Sequence, residues 1–313
     1  MAAVTAALVK ELRDATGAGM MDCKKALVAT DGDMDKAVDY LRENGLAKAA
    51  KKASRIASEG LVRMAFAADG SAASAVEVNS ETDFVAKNEE FIEFVEKLAD
   101  IALAADKACA ECMKEMTYSE EGTVAEVLTA KIAKIGENMN LRRAVKCNTP
   151  GVKYVGYSHG GGRIGVIIGL KTDASVEEVT TCGKDVAMQA ASMRPLYVDE
   201  ESVDPEYLAH EKEVILAQAM NENNELPENK RKPQAIIEKM ITGRVKKSLK
   251  EVCLVDQAFV KDSNMSVGEY VASCAKALGK DIKVVEMVRY EVGEGIEKKV
   301  ENFAEEVAKQ MQG

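Results

Sequence analysis

The chain has 313 residues, 47 % of them apolar, so two or three domains with real hydrophobic cores are expected. Its 42 lysines and arginines are outnumbered by 52 acidic residues, and the net charge of −10 argues against a general nucleic-acid binder, since phosphate contacts need surplus positive charge. There is no apolar run of roughly 18 residues, no signal-peptide pattern in the first ten residues and no regular cysteine spacing, which favours a cytoplasmic, reduced protein without a membrane span.

The first 45 residues are predicted to form three short helices. The second covers 20–29 and the third 34–43, and the third is expected to stop at Asn44–Gly45. The basic run 48–55 has no aromatic residues between its charges, so a solvated linker is favoured over an RNA site. A three-helix bundle with its linker, residues 1–55, is therefore the first predicted domain.

Two stretches further along repeat the same order of a strand, a glycine-rich turn, a second strand and the start of a helix. The first copy runs over 59–84 and the second over 150–174, and Thr82–Asp83 of the first corresponds to Thr172–Asp173 of the second. The pattern predicts a duplicated core of hairpin-plus-helix units with antiparallel sheets.

The two copies differ at the residue that follows Thr-Asp. Phe84 stands there in the first copy and Ala174 in the second. A Thr-Asp pair can cap a helix in either copy, so capping does not require the ring. In a chain with 4 % aromatic residues and no tryptophan, we expect Phe84 to be exposed, between Asp83 and Lys87, for a pocket on a partner.

Further elements complete the predicted fold. Prolines open two helical segments, 205–221 and 233–249, which predict an antiparallel helical hairpin inserted in the second copy. Other segments are assigned by periodicity and capping signals: helices 88–105, 123–135, 176–192, 266–279 and 296–311, and strands 141–147, 251–260 and 283–292. The fold class is α+β, with core subdomains at 56–147 and 148–263 (hairpin at about 205–249) and a C-terminal module at 264–313.

Two short patterns have simpler explanations than a reactive site. The glycines of 160–165 match a dinucleotide fingerprint but precede a strand, so a hairpin turn is predicted. Cys109 and Cys112 have metal-ligand spacing without a second pair nearby, and the chain has only two histidines, so chance spacing is favoured. We predict no catalytic residue, metal or cofactor, and a protein that binds rather than reacts.

Two candidate contact residue sets remain open at this level. His159 lies at a predicted hairpin tip, where it is either a solvated side chain or a partner contact. Met20 and Met21 follow a loop at the corner of the small bundle, where methionines either fill gaps in the core or form a contact surface.

Several longer motifs resemble the bacterial elongation factor Ts family. Residues 12–27 resemble its first signature and 77–87 its second, which is centred on Thr-Asp-Phe-Val; residues 134–138, 158–160 and 289–298 are also similar to that family. The stretches 105–122 and 276–284 depart from its usual pattern.

The resemblance implies a fold and a function. The N-terminal bundle would be ubiquitin-associated-like, and the chain would be a guanine-nucleotide exchange factor that binds elongation factor Tu·GDP, promotes GDP release by disturbing the magnesium and phosphate site, and is released when GTP binds. Asp83 and Phe84 would approach that site, with Thr82 and Val85 shaping the loop. Contacts with the GTPase are implied for four bundle residues and for the hairpin tip: Arg13, Met20, Met21, Lys24 and His159.

Two other classes of protein account for only part of the sequence. The resemblance leaves open whether the helical hairpin pairs two copies of the chain, and it implies no direct nucleic-acid contact. A ubiquitin-associated-like adaptor would explain the first 45 residues but leave the duplicated core unexplained. A chaperone-like holdase would expose more apolar surface than 30 % charged residues suggest. Neither alternative predicts accelerated nucleotide release from a GTPase.

Overall fold

The computed structural model describes residues 4–16, 18–120 and 122–297. Their contacts divide the chain into two compact units. The first is formed by the described residues within Met1–Ala65, Ser74–Lys146 and Tyr290–Gly313, and the second by Phe66–Ala73 and Cys147–Arg289. The predicted final helix, 296–311, falls on residues outside the described part except for its first two positions.

The chain begins with a bundle of three helices, as predicted. These are α1 (Ala6–Thr16), α2 (Met20–Ala29) and α3 (Met34–Lys52). Asp33 caps α3 by accepting a hydrogen bond from the Lys36 amide at 3.1 Å. The bundle has a small core of its own, in which the largest fully buried side chains are Leu12 and Leu27.

Helix α3 is longer than the sequence predicts. It continues through Asn44 and Gly45 to Lys52, so the predicted stop is wrong and much of the predicted basic linker is helical. The reason is packing: Gly45 is buried, and a Cβ added there would lie 3.7 Å from Ala133 Cβ of a later helix. Contact with that helix outweighs the weak local preference of an Asn-Gly pair to end a helix.

The first repeat unit follows as predicted. Strands β1 (Glu59–Phe66) and β2 (Ala73–Ser80) lead into a single helical turn, α4 (Asp83–Ala86), and then α5 (Glu89–Ala104). The two strands are neighbours joined by a loop of a few residues, which requires an antiparallel pair. Gly60 needs its glycine, because φ is 134° and an added Cβ would lie 2.1 Å from the Val78 carbonyl oxygen.

The rest of the first unit packs over this sheet. It consists of α6 (Ala110–Lys114), β3 (Thr117–Ser119), β4 (Gly122–Thr123), α7 (Val124–Ile135) and β5 (Met139–Cys147). Strand order is β1-β2-β5. The predicted capping box of α7 is confirmed, with Thr123 and Glu126 each bonding the other's backbone. Side chains from α5, α7 and the sheet form one hydrophobic core, which includes Phe91, Phe94 and Leu98.

The second repeat unit has the same order of elements. Strands β6 (Val152–His159) and β7 (Ile164–Lys171) form an antiparallel hairpin in which Val152 pairs with Lys171 and His159 with Ile164, and α8 (Val176–Met193) follows. Gly160, Gly161 and Gly162 all have positive φ in the turn between the strands. The predicted hairpin turn is thereby confirmed, in place of a dinucleotide-binding loop.

A helical hairpin interrupts the second unit. Helix α9 (Pro205–Glu225) begins at Pro205, whereas α10 (Gln234–Val252) begins just after Pro233. The two helices contact each other around Ile215, Val245 and Leu249.

The end of the chain is partly as predicted. The predicted return strand 251–260 is wrong. Helix α10 continues to Val252, and a short 3-10 helix covers Leu254–Asp256. Only β8 (Ala258–Phe259) is extended in this stretch, and it pairs with β9 (Asp262–Ser266). Cys253 and Leu254 are both buried, each in a different core cluster, instead of alternating between two faces of a sheet. Helix α11 (Val267–Leu278) and strand β10 (Lys283–Glu291) follow, and the second sheet has the order β10-β7-β6. The α+β fold class is confirmed.

The cysteines differ from the expectation in one place. Cys109 and Cys112 are joined as a disulfide at the start of α6, where the helical turn brings their Cα atoms within 5.3 Å, whereas the sequence favoured chance spacing in a reduced protein. The other five are free. Burial raises the pKa of the Cys147 and Cys253 thiols to about 11, so both stay protonated near neutral pH.

Candidate partner-binding site

The Phe84 side chain is exposed over 81 % of its surface. It belongs to α4, a four-residue turn between the end of β2 and the start of α5. Neighbours on the same turn face the other way: Val85 and Ala86 are buried in the core of the first unit. The turn is thus fixed on its inner face and exposes an aromatic ring on its outer face, the arrangement expected of a contact residue.

The second repeat unit provides an internal comparison. Ala174, at the position corresponding to Phe84, is buried in the core of its unit. There the Thr172 hydroxyl accepts a hydrogen bond from the Ala174 amide at 3.1 Å, and Ser175 caps α8 directly. The same scaffold therefore forms without an exposed ring, so folding alone does not require Phe84.

Asp83 places a carboxylate beside the ring. It is half-buried and forms an ion pair with Lys87 at 2.6 Å, one helical turn away. Such a pair between partly solvated side chains contributes little to stability. The carboxylate therefore lies beside the exposed ring at small cost to the fold.

Thr82 holds the turn from its N-terminal end. Its hydroxyl accepts a hydrogen bond from the Val85 amide at 3.4 Å and donates one to Glu137 Oε1 at 2.7 Å, while the Thr82 amide donates to Glu137 Oε2 at 3.0 Å. Sequence reasoning placed Glu137 in a family-like motif but gave it no role. The 55 residues between the partners leave no local pattern that would have shown the contact.

A second candidate surface lies on the N-terminal bundle. Arg13 on α1 and Lys24 on α2 are exposed, as are Met20 and Met21, with 55 % and 64 % of their surface accessible. Neither methionine fills the core of the bundle, because both side chains lie at its surface. Exposed Val28 lies on the same side of α2, four residues after Lys24, and was not identified from the sequence.

His159 lies at the exposed tip of the β6–β7 hairpin. Its Nδ1 is 3.0 Å from the Tyr157 hydroxyl, and the two rings are 5.9 Å apart. The imidazole is thus oriented by a neighbour rather than fully mobile in solvent. It belongs to the second unit, whereas the Phe84 turn and the bundle surface belong to the first.

The described residues contain no cluster of three or more His, Cys, Asp or Glu side chains that could hold a metal ion. Within the same residues, no helix combines the length and the apolar character that crossing a membrane requires. The small cavity of about 90 Å³ on the α9–α10 hairpin is lined by polar and apolar side chains, among them Glu222, Met240 and Arg244. The exposed candidate residues Phe84, Met20 and Met21 do not line this cavity.

Comparison with known proteins agrees with the motifs. A family model described as "Elongation factor TS" matches residues 81–294. Elongation factor Ts of Clostridioides difficile (strain 630) is 56 % identical over 311 residues, covering 99 % of this chain and 100 % of that protein. Elongation factor Ts of Clostridium novyi (strain NT) is 52 % identical over 310 residues, covering 98 % and 99 %. The chain therefore belongs to the elongation factor Ts family, whose members are exchange factors of translation elongation and not enzymes.

Proposed function

We propose that this chain binds elongation factor Tu·GDP and promotes GDP release through its Phe84 turn. Family membership supports the partner, and the exposed ring on a turn held by the core supports the mechanism. The ring would be buried at the GTPase near its magnesium and phosphate site, the nucleotide would leave, and GTP binding would then resolve the complex. The proposed setting is the cytoplasm.

The proposed mechanism depends on the strictness of magnesium coordination. Magnesium requires near-ideal octahedral geometry and bridges nucleotide phosphates, so a small displacement of its surroundings weakens nucleotide binding. Burial of the Phe84 ring would provide about 2–3 kcal/mol for that displacement. Asp83 would add a negative charge close to the magnesium ion and its ligands. Thr82 and Val85 would keep the side chains of Asp83 and Phe84 in place.

One turn is too small to form a stable complex. A specific interface commonly buries about 1,600 Å² in total, far more than one phenylalanine provides. We propose that Arg13, Met20, Met21 and Lys24 of the bundle contribute area on the GTPase domain, and that the His159 tip contacts another face of the partner. The four predicted domains would then contribute differently, some to affinity for the GTPase and some to nucleotide exchange.

Release of a fluorescent GDP from elongation factor Tu tests the proposal. The wild-type chain should accelerate release, and Phe84→Ala should lose about tenfold or more of that acceleration, because one buried aromatic anchor commonly contributes about 2 kcal/mol. Leu46→Ala is the matched control, since Leu46 is also an exposed apolar side chain of the first unit but belongs to neither candidate surface. A wild-type chain that binds without accelerating release would instead indicate an adaptor.

A further inference from the structure

The Phe84 turn cannot hold its own shape. A helix of four residues lies far below the length at which helices persist in water, because its first turn fixes several residues for a single hydrogen bond. Val85 and Ala86 anchor the turn in the core from beneath, and Thr82 is its N-cap at the end of the strand. The direction of Phe84 therefore depends on these buried anchors and on the contacts that hold Thr82 at the start of the turn.

Those contacts come from the segment between α7 and β5. The Glu137 carboxylate accepts from both the amide and the hydroxyl of Thr82, the N-cap of the turn, at 3.0 and 2.7 Å. Both bonds are charge-assisted and end on different oxygens of one planar group, so together they define the orientation of Thr82.

The neighbouring residues form a second, crossed contact. The Asn138 amide donates to Glu81 Oε1 at 2.5 Å, and the Asn138 side chain donates to the Arg55 carbonyl oxygen at 2.7 Å. Glu81–Thr82 and Glu137–Asn138 thus bind each other as two adjacent pairs. Gly136, with φ of 91°, ends α7 and turns the chain so that this becomes possible.

The second repeat unit lacks this arrangement. The Thr172 amide there donates to the Gly151 carbonyl oxygen at 3.2 Å, and its hydroxyl is bonded within its own loop to Ala174. In the second unit, where the alanine is buried, the threonine amide donates to a backbone carbonyl. In the first unit, where the phenylalanine is exposed, the threonine amide donates to the Glu137 carboxylate.

We infer that Glu137 is the positioning residue of the exchange site, which holds Thr82 so that Phe84 points towards the GTPase before binding. This inference rests on the proposed function. Glu137 does not contact the partner; it raises the fraction of molecules in which the ring is correctly placed. A residue of this kind alters the rate at saturation more than the affinity, because the other surfaces still bind.

GDP release measured against factor concentration tests this role in the full-length chain. Glu137→Ala should lower the maximum release rate by about tenfold or more, because it removes both charge-assisted hydrogen bonds to Thr82, and change the half-saturating concentration less than about twofold. Glu137→Gln should be intermediate, since its amide keeps one acceptor oxygen. Thr82→Val removes the hydroxyl donor but keeps the backbone amide donor, so the double variant should be slowed by less than the product of the two single effects.

A matched control separates positioning from general destabilisation. Glu90 also pairs its carboxylate with α7, through Lys131 and Lys134 at 3.0 and 2.9 Å, but has no part in the turn. Glu90→Ala should keep the wild-type maximum rate. If Glu90→Ala and Glu137→Ala slow release equally, or if Glu137→Ala keeps the wild-type rate, the positioning role is wrong.

A direct probe of the turn needs no GTPase. The chain has no tryptophan, so Phe84→Trp introduces a single tryptophan, which can be excited selectively over the eight tyrosines. Its anisotropy should fall when Glu137→Ala is added and stay unchanged when Glu90→Ala is added; equal anisotropy in all three would contradict the inference. If Phe84→Ala slows release and Glu137→Ala does not, the inference alone fails. If Phe84→Ala leaves release unchanged, the proposed function falls, and the exchange role of Glu137 with it.

Discussion

The carboxylate of Glu77 is fully buried, and its hydrogen-bond partners explain why a charged side chain is present at that position. It lies on β2, and its Oε1 accepts from Arg142 Nη1 at 3.2 Å and from the Gly293 amide at 2.9 Å, while Arg143 Nε bonds its other oxygen. Both arginines also donate to backbone carbonyls of the segment that ends β10 and follows it, at Glu294 and Glu291. The cluster therefore attaches that segment to the first unit by charge-assisted bonds.

Removing the Glu77 carboxylate should be strongly destabilising. Glu77→Ala would leave two arginines and an amide without their common partner, and breaking a buried ion pair from one side commonly costs about 3–5 kcal/mol. Glu294→Ala is the control, because its exposed carboxylate pairs with the same Arg143 at 3.2 Å and should contribute less than about 1 kcal/mol. Urea unfolding of both variants measures the difference. Similar losses in both would mean that the burial of Glu77 is unimportant.

At the scale of single residues, the sequence predicts which residues are exposed better than it predicts which residues hold them in place. The comparison of two repeats was enough to predict an exposed Phe84, because Ala174 provides an internal reference. No such reference exists for Glu137 or Asn138. Their partners lie 55 and 57 residues away, and a hydrogen bond over that separation leaves no periodicity in the chain.

Among the elements, those with their own end signals are predicted most accurately. Helix α7 begins at a capping box and α11 ends at Gly279 in the left-handed conformation, and both were predicted within about two residues. Errors arise where tertiary packing decides. α3 continues through Gly45 because α7 covers that face, and the segment after α10 turns into the core instead of forming a strand.

Gly45 offers a test of that explanation. Within a helix, glycine is about 1 kcal/mol less favourable than alanine, and a Cβ at Gly45 would be in ordinary contact, 3.7 Å from Ala133. Gly45→Ala should therefore raise the free energy of unfolding by about 0.5–1 kcal/mol. Gly136→Ala is the opposite case: space is open around it, but φ is 91°, so the same substitution should destabilise. Thermal unfolding decides; destabilisation by Gly45→Ala would show that the contact with α7 is tighter than described.

The pairing of α5 with α7 should depend on pH. Burial acts to raise the pKa of Glu90, but hydrogen bonds and charge from Lys134 and Lys131 outweigh it and lower the pKa. A carboxylate with a lowered folded-state pKa stabilises the fold above its unfolded pKa of about 4.3, and that contribution disappears as pH falls through the lower folded value. The stability difference between wild type and Glu90→Gln should thus be constant near neutral pH, below about 1 kcal/mol, and vanish in acid. Urea titrations from neutral to acidic pH would show it; a difference that grows in acid would contradict the sign.

For the whole molecule, contacts and sequence composition divide the chain by different criteria. Composition indicates linkers, whereas a compact unit is defined by contacts between residues that are far apart in the sequence. Phe66–Ala73, the tip of the β1–β2 hairpin, belongs to the second unit although it lies inside the predicted subdomain 56–147. There Lys153 donates to the Asp69 carbonyl oxygen at 2.9 Å, and the Tyr154 amide to that of Gly70 at 2.8 Å. The four-domain division stays a prediction.

The molecule as a whole should act through reciprocal coupling. If the chain weakens the grip of the GTPase on GDP, GDP must weaken the grip of the GTPase on the chain by the same factor, commonly about 5- to 150-fold. Magnesium should oppose the chain together with GDP, because the proposed position of Phe84 and Asp83 is the metal site. Affinity is therefore expected to be highest for nucleotide-free GTPase, lower with either ligand alone and lowest with both.

Titration calorimetry under those four conditions measures the coupling, and Phe84→Ala identifies its source. The variant should keep most of its affinity for nucleotide-free GTPase through the bundle surface and the His159 tip, yet show a smaller drop when GDP and magnesium are added. That result would assign the antagonism to the ring rather than to the total contact area. Equal affinity of the wild-type chain in all four conditions would exclude an exchange factor, because a ligand that binds two states equally cannot shift the balance between them.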